Sequence, residues 1–95
     1  MVKLIWTDQA IDDLGDIGSY IAENSERYAK LTVKKLYERA DILKEFPLAG
    51  RIVPEKNEVN VRELIEGSYR IIYEIFPENL IYILTVYHSS RELNM

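Results

Sequence analysis

The chain has 95 residues, enough for one domain over 1–95 and too few for two, with 47% hydrophobic residues to form a core. It contains no cysteine and a single histidine, His88, which excludes disulfides, thiolate zinc sites and multi-histidine metal centres. A formal charge of −4 and a pI near 5.0 argue against phosphate-gripping as the main business of the surface, leaving room only for a local group of arginines.

In chain order, Val2 to Trp6 is a short run of β-formers and reads as a first strand. It passes directly into Thr7-Asp8 with no signal-peptide apolar stretch, and the longest apolar run, Leu80 to Leu84, falls far short of the ~20 residues that span a bilayer. The expectation is a cytosolic chain with no membrane partner. Thr7 or Asp8 caps a first helix, in which Ala10, Leu14, Ile17 and Ile21 recur at helical spacing while Asp12, Asp13, Asp16 and Glu23 fill the other face. Gly15 and Gly18 each weaken that helix by up to ~1 kcal/mol relative to alanine, so a close packing neighbour is expected there. Asn24-Ser25 breaks the helix and caps the next, which should run from Glu26 to Glu45 with Ala29, Val33, Leu36, Ala40 and Leu43 on its apolar stripe. Residues 8–23 carry no lysine or arginine, whereas Arg27, Lys30, Lys34 and Lys35 make the first half of the second helix basic. Such a pair suits an antiparallel hairpin with compensating charges, because basic residues near a helix N-terminus oppose its dipole.

Pro47 and Gly50 end the second helix, and Arg51 to Asn57 reads as a polar loop. Three strands follow: Val59 to Ile65, then Tyr69 to Phe76 after a turn at Glu66-Gly67-Ser68, then Leu80 to Tyr87 after Pro77-Glu78-Asn79. The fold class is α+β, in the order β-α-α-β-β-β, with the helical hairpin on one face of a mostly antiparallel four-stranded sheet.

The last hairpin allows a sharper expectation. With Pro77 to Asn79 as its loop, Glu74 lies opposite Tyr82, Ile72 opposite Leu84 and Arg70 opposite Val86, with His88 on the next diagonal. Opposed side chains share a face. One face then carries Tyr69, Ile71, Tyr73, Ile75, Ile81, Ile83, Thr85 and Tyr87, and the helices should cover it. The other carries Arg70, Ile72, Glu74, Tyr82, Leu84, Val86 and His88 and should be bare. Metal-free RNA cleavage needs a base, an acid and a cation for the charged phosphorane. His88 could serve as acid or base, Glu74 as a weaker base, and Arg70 or Arg62 as the phosphate clamp. The plainer alternative makes Arg70 and Glu74 an ordinary sheet-face ion pair and His88 a strand-end residue bonded to backbone. Phosphate-cradling glycine loops, nucleophile elbows and dinucleotide fingerprints are missing, and Asp12, Asp13 and Asp16 lack a second acidic cluster to complete a magnesium site. No cofactor or metal is expected.

Over nearly its full length the chain resembles the ParE/RelE toxin superfamily of type II toxin–antitoxin pairs. The resemblance is carried by Ile5-Trp6-Thr7 before a helix with Ala10, Asp13-Leu14, Ile17 and Tyr20-Ile21, and by Phe46-Pro47 and Gly50-Arg51. Arg62-Glu63-Leu64, Tyr69 to Tyr73 and Val86 to Arg91 complete it. Likeness to this family implies a growth inhibitor neutralised by a cognate antitoxin, assembled with it as a hetero-oligomer. RelE-like members cleave messenger RNA on the ribosome, whereas ParE-like members inhibit DNA gyrase and are not nucleases. Arg70 matches a sheet arginine of the RelE-type active face, and His88 falls near the histidine of the YoeB-like branch, but Ser89 stands where that branch has a terminal tyrosine. The lysines that RelE carries before its third strand are not reproduced, only Lys56 lying in that loop, and the ending His88-Ser89-Ser90-Arg91 is closer to the His-x-x-Arg of ParE. These departures favour gyrase as the target. The alternatives are a RelE/YoeB-like ribosome-dependent mRNA endonuclease, or an inactive relative that only binds its antitoxin. Arg51, Arg62, Arg70, Tyr82, His88 and Arg91 are the candidate target contacts.

Overall fold

The computed structural model describes residues 1–90; Arg91, one of the candidate contacts, lies outside the described residues. Its elements are β1 (Lys3–Trp6), α1 (Asp8–Ala22), α2 (Glu26–Ala40), a 3-10 turn (Asp41–Lys44), β2 (Arg51–Ile52), β3 (Val61–Glu66), β4 (Tyr69–Phe76) and β5 (Leu80–His88). The sheet runs β1-β5-β4-β3-β2, antiparallel throughout except that β1 lies parallel to β5, with Lys3 beside Leu80 and Trp6 beside Ile83. The sheet therefore has five strands where four were expected. The extra strand is the two-residue β2, whose Arg51 and Ile52 pair with Glu63 and Arg62. The three residues between Gly50 and Pro54 are too few to show an alternation of period two, so the segment reads as loop from its sequence.

Both helix starts are capped as their sequences require. Thr7 Oγ1 accepts the Ala10 amide at 3.2 Å and donates its own proton to the Ile83 carbonyl at 2.7 Å, tying the helix start to the sheet. Ser25 Oγ accepts the Tyr28 amide at 3.1 Å. The α-helical part of the second helix stops at Ala40 and tightens into the 3-10 turn, five residues short of the Glu45 boundary expected. In a 3-10 turn residues three apart eclipse each other, which keeps Ala40 and Leu43 over the same spot, both at 0% exposure.

A Cβ at Gly18 would lie 3.2 Å from Val33 Cγ2, so this glycine does let the helices approach; Gly15 has nothing within 4 Å and lies on open space. Among the described residues no ion pair joins α1 to α2, so the expected charge compensation does not hold the hairpin together. Apolar packing does. Ala10, Leu14, Leu36, Ala40 and Leu43 meet Leu64, Ile71, Tyr73, Ile81, Ile83 and Val86 in the main core, with Trp6 stacked on Tyr37 at 5.2 Å along its flank.

The β4–β5 register begins as the hairpin loop dictates, with Phe76 opposite Leu80 and Glu74 opposite Tyr82. It then slips by one residue. Tyr73 faces Ile83 but Ile72 faces Thr85, so Leu84 is the extra residue of a β-bulge. Asp13 of α1 secures this bulge: its Oδ2 accepts the Val86 amide at 3.0 Å and the Thr85 hydroxyl at 2.5 Å. Beyond the bulge the inside–outside alternation of β5 is reversed. Val86 joins the main core, and Tyr87, expected under the helices, lies on the opposite face. That second face is not bare either. Val53, at 0% exposure, packs there on Val61 and Ile72, with Leu84 and Tyr87 alongside, because the segment after β2 folds back across the sheet.

Candidate functional site

The face opposite the helices is organised around Glu63. In β3 the positions facing this side are Val61, Glu63 and Ile65, an apolar series interrupted by one carboxylate that is 1% exposed. A buried carboxylate is tolerable only when paired. Arg70, itself 8% exposed, brings Nε and Nη2 to 2.5 Å from Glu63 Oε1, and the Arg51 Nε hydrogen-bonds Oε2. The outer edge of the Arg70 guanidinium donates from Nη1 and Nη2 to the two oxygens of Glu55, at 2.8 and 2.9 Å. This bidentate contact holds the Glu55 carboxyl down at about 2. The same contact, and then the bond to Glu63, raises the Arg70 pKa further above its usual range. The Arg70 Cζ lies 5.2 Å from the centroid of the Tyr87 ring, and the Tyr87 hydroxyl is buried without a hydrogen-bond partner among the described residues. Burial pushes that phenol upward. The result is a charge-balanced cluster of two arginines and two glutamates against one aromatic wall.

His88 does not share this face. It lies opposite Tyr69, whereas Arg70 lies opposite Tyr87, and adjacent strand residues point to opposite sides. The expected joint Arg70–His88 face is therefore not formed, and the bulge at Leu84 is the physical reason. His88 meets the Tyr69 ring edge-on at 5.5 Å, and its Nδ1 accepts the Ser90 amide at 3.1 Å with Ser90 Oγ 2.7 Å away.

The other sequence candidates are dispersed. Arg62 donates to the Val59 and Gly50 carbonyls, both at 3.0 Å, and so ties the residue before β2 to the approach to β3. Glu74 sits opposite Tyr82 at the far end of the hairpin, where Tyr82 packs on Phe76 at 5.1 Å. Arg51 is the most exposed member of the ion cluster, with 65% of its side chain accessible. Glu55, Glu63 and Tyr87 were missed as members of this cluster. For Glu63 a signal existed: a lone carboxylate in the apolar register of a strand requires a cation opposite. Nothing local marks Glu55, which reaches Arg70 from a turn.

On the other side of the molecule the helical hairpin leaves an outward groove of about 620 Å³, lined by Leu14, Gly18, Ala22, Ala29, Val33 and Tyr37. Gly15 opens into it, and Lys30 and Lys34 stand on its rim. Among the described residues neither lysine has an ion-pair partner.

Residues 4–93 match the family model described as the ParE toxin of the type II toxin–antitoxin system parDE. Toxin RelE2 of Caulobacter vibrioides is 30% identical over 91 residues, covering 96% of this chain and 99% of that protein. The fold is shared with a chain of the chromosomal ParDE toxin–antitoxin system from P. aeruginosa, at a TM-score of 0.76 and 24% identity, covering 93% of this chain and 96% of that one. It is shared less closely with a chain of the RelBE2 toxin–antitoxin complex of Mycobacterium tuberculosis, at a TM-score of 0.57 and 23% identity, covering 92% of this chain and 96% of that one. Matched along nearly its whole length in sequence and in architecture, the chain belongs to the ParE toxin family of type II toxin–antitoxin systems.

Proposed function

We propose that this toxin arrests growth by inhibiting DNA gyrase and does not itself cut nucleic acid. One observation carries the reading. The only histidine lies on the other side of the sheet from Arg70, the arginine best placed to hold a scissile phosphate, and the guanidinium is fixed on one edge by the buried Glu63 and met on the other, in the free chain, by Glu55. A ribonuclease needs acid, base and unpaired cation within reach of one phosphate. Purified toxin, freed of antitoxin, is expected to abolish gyrase supercoiling of relaxed plasmid at a modest molar excess. Undiminished supercoiling at large excess would overturn the reading. The second reading, ribosome-dependent mRNA cleavage, draws support from Tyr87 standing beside Arg70. Tyr87→Phe separates the two: its hydroxyl has no hydrogen-bond partner to lose among the described residues, so the variant should fold and still arrest growth, and a folded but harmless variant would favour cleavage.

The antitoxin occupant of this reading is an amphipathic helix with acidic flanks, seated in the α1–α2 groove. The groove supplies an apolar floor and a rim on which Lys30 and Lys34, unpaired among the described residues, outnumber Glu26, a pattern suited to a helix-in-groove ligand. Gly15→Leu tests this cleanly. A Cβ there meets nothing within 4 Å, and replacing a helical glycine should stabilise the free toxin by up to ~1 kcal/mol. The added side chain would nonetheless fill the groove. Antitoxin affinity should fall at least about tenfold, roughly 1.4 kcal/mol, while the melting temperature holds or rises. Unchanged affinity would place the antitoxin elsewhere.

A further inference from the structure

The two carboxylates on Arg70 are not equivalent. Glu63 projects from the middle of β3 with 0% of its side chain accessible and is locked between two guanidiniums. Glu55 reaches in from the turn over residues 53–57, which is held by its own backbone bonds from the Lys56 and Asn57 amides to the Val53 carbonyl at 3.1 and 2.8 Å. Its side chain is 40% exposed. Glu55 can therefore swing into solvent without disturbing the turn that carries it, whereas Glu63 cannot leave.

If Glu55 leaves, the remaining Arg51, Arg70 and Glu63 hold two positive charges against one negative. A single positive charge is left, together with an open Arg70 edge whose Nη1 and Nη2 already have the geometry to grip both oxygens of a planar carboxylate. The Tyr87 ring at 5.2 Å closes one side. Neighbouring cations are engaged within the chain: Lys56 lies 3.9 Å from Glu58, Arg62 is bonded to two backbone carbonyls, and the Arg51 Nε is on Glu63. A lone side-chain carboxylate needs no second foothold. The net charge of −4 also disfavours a polyanion.

We propose that Arg70, backed by Arg51, is a carboxylate-binding site for an aspartate or glutamate of a protein partner, occupied in the free chain by its own Glu55. The exchange swaps one carboxylate for another. The buried guanidinium is never left unpaired, and the displaced Glu55 regains its hydration, so the swap avoids the penalty of stranding a charge. This holds whichever cellular target the toxin acts on.

The full chain carrying Glu55→Ala provides the test, with acetate as the probe. Melting temperatures of the variant and the parent are compared at neutral pH in acetate and in chloride of equal ionic strength. In chloride the variant should melt below the parent. Acetate should then raise the variant by about 3 °C or more beyond whatever shift it causes in the parent, whose site is already filled, as expected for a ligand that binds only the folded state. Should the alanine variant fail to fold, Glu55→Gln carries the same comparison, since its amide gives Arg70 only one acceptor. Equal acetate shifts in variant and parent would overturn the site. A larger gain from dimethyl phosphate, a monoanionic mimic of the nucleic-acid backbone, would overturn its assignment to a protein carboxylate.

Discussion

Arg70→Met should lower the stability of the toxin by about 3–5 kcal/mol, because it strands the Glu63 carboxylate in an apolar layer. Glu63 is 1% exposed, and without Arg70 it retains only the largely exposed Arg51. A domain of this length is worth on the order of 5–14 kcal/mol in total, so the loss is a large share of the whole. It should appear as a fall in melting temperature of more than about 10 °C. The double variant Arg70→Met with Glu63→Leu removes the stranded charge along with its partner and should recover most of that loss. A double-mutant cycle by denaturant unfolding reads the coupling directly. If the single variant costs less than about 1 kcal/mol, or the second change adds to the damage, the account of a mutually dependent buried pair fails.

The same pair bears on function. Loss of toxicity in a single Arg70 variant would be ambiguous, since unfolding and lost chemistry look alike in a growth assay. The restored double variant separates them: it lacks the arginine but keeps the fold. Gyrase inhibition by that double variant would mean that Arg70 supports the sheet rather than reacting with a substrate.

Much of this arrangement could be read from the sequence, and the places where reading stopped have physical reasons. Both caps, at Thr7 and Ser25, and the covering of Ile71, Tyr73, Ile81 and Ile83 by a helical hairpin follow from periodicity and capping chemistry. The register of the last hairpin held from Phe76 to Tyr73, because its three-residue loop sets it there. It failed at Leu84, because a bulge depends on something outside the strand, here the Asp13 carboxylate reaching from α1 to the Val86 amide. A single extra residue then moved His88 to the other side of the sheet and dissolved the expected site. A period-two pattern cannot reveal this, since Leu84-Thr85-Val86 is plausible on either face. The partnership of Arg70 was equally hidden. Its nearest sequence carboxylate on the same strand is Glu74, but the carboxylates it binds are Glu63, seven residues upstream on β3, and Glu55, fifteen upstream in a turn. Sheet registry and a folded-back segment create those contacts; proximity in the chain does not.

The same alanine substitution should have opposite signs at two glycines of this chain. At Gly15, on open space in the middle of α1, alanine meets nothing within 4 Å and should stabilise by up to ~1 kcal/mol through helix propensity alone. At Gly50 a Cβ would lie 2.4 Å from the Glu63 carbonyl oxygen, 2.7 Å from the Tyr73 hydroxyl and 2.8 Å from its ring. None of these can give way cheaply. The Glu63 carbonyl belongs to an interior strand, and the fully buried Tyr73 accepts the Gly50 amide at 2.9 Å while donating to the Pro47 carbonyl at 2.8 Å. Relief would require β2 to lift from β3, breaking that hydrogen-bonded corner and drawing Arg51 away from Glu63. The cost should be about 3 kcal/mol or more, combining overpacking with polar groups left unpaired. Denaturant midpoints with unchanged slopes would measure both effects on one scale. A Gly50→Ala variant within about 1 kcal/mol of the parent would show that the edge strand yields freely, and that the ion cluster on this face does not depend on the corner beneath it.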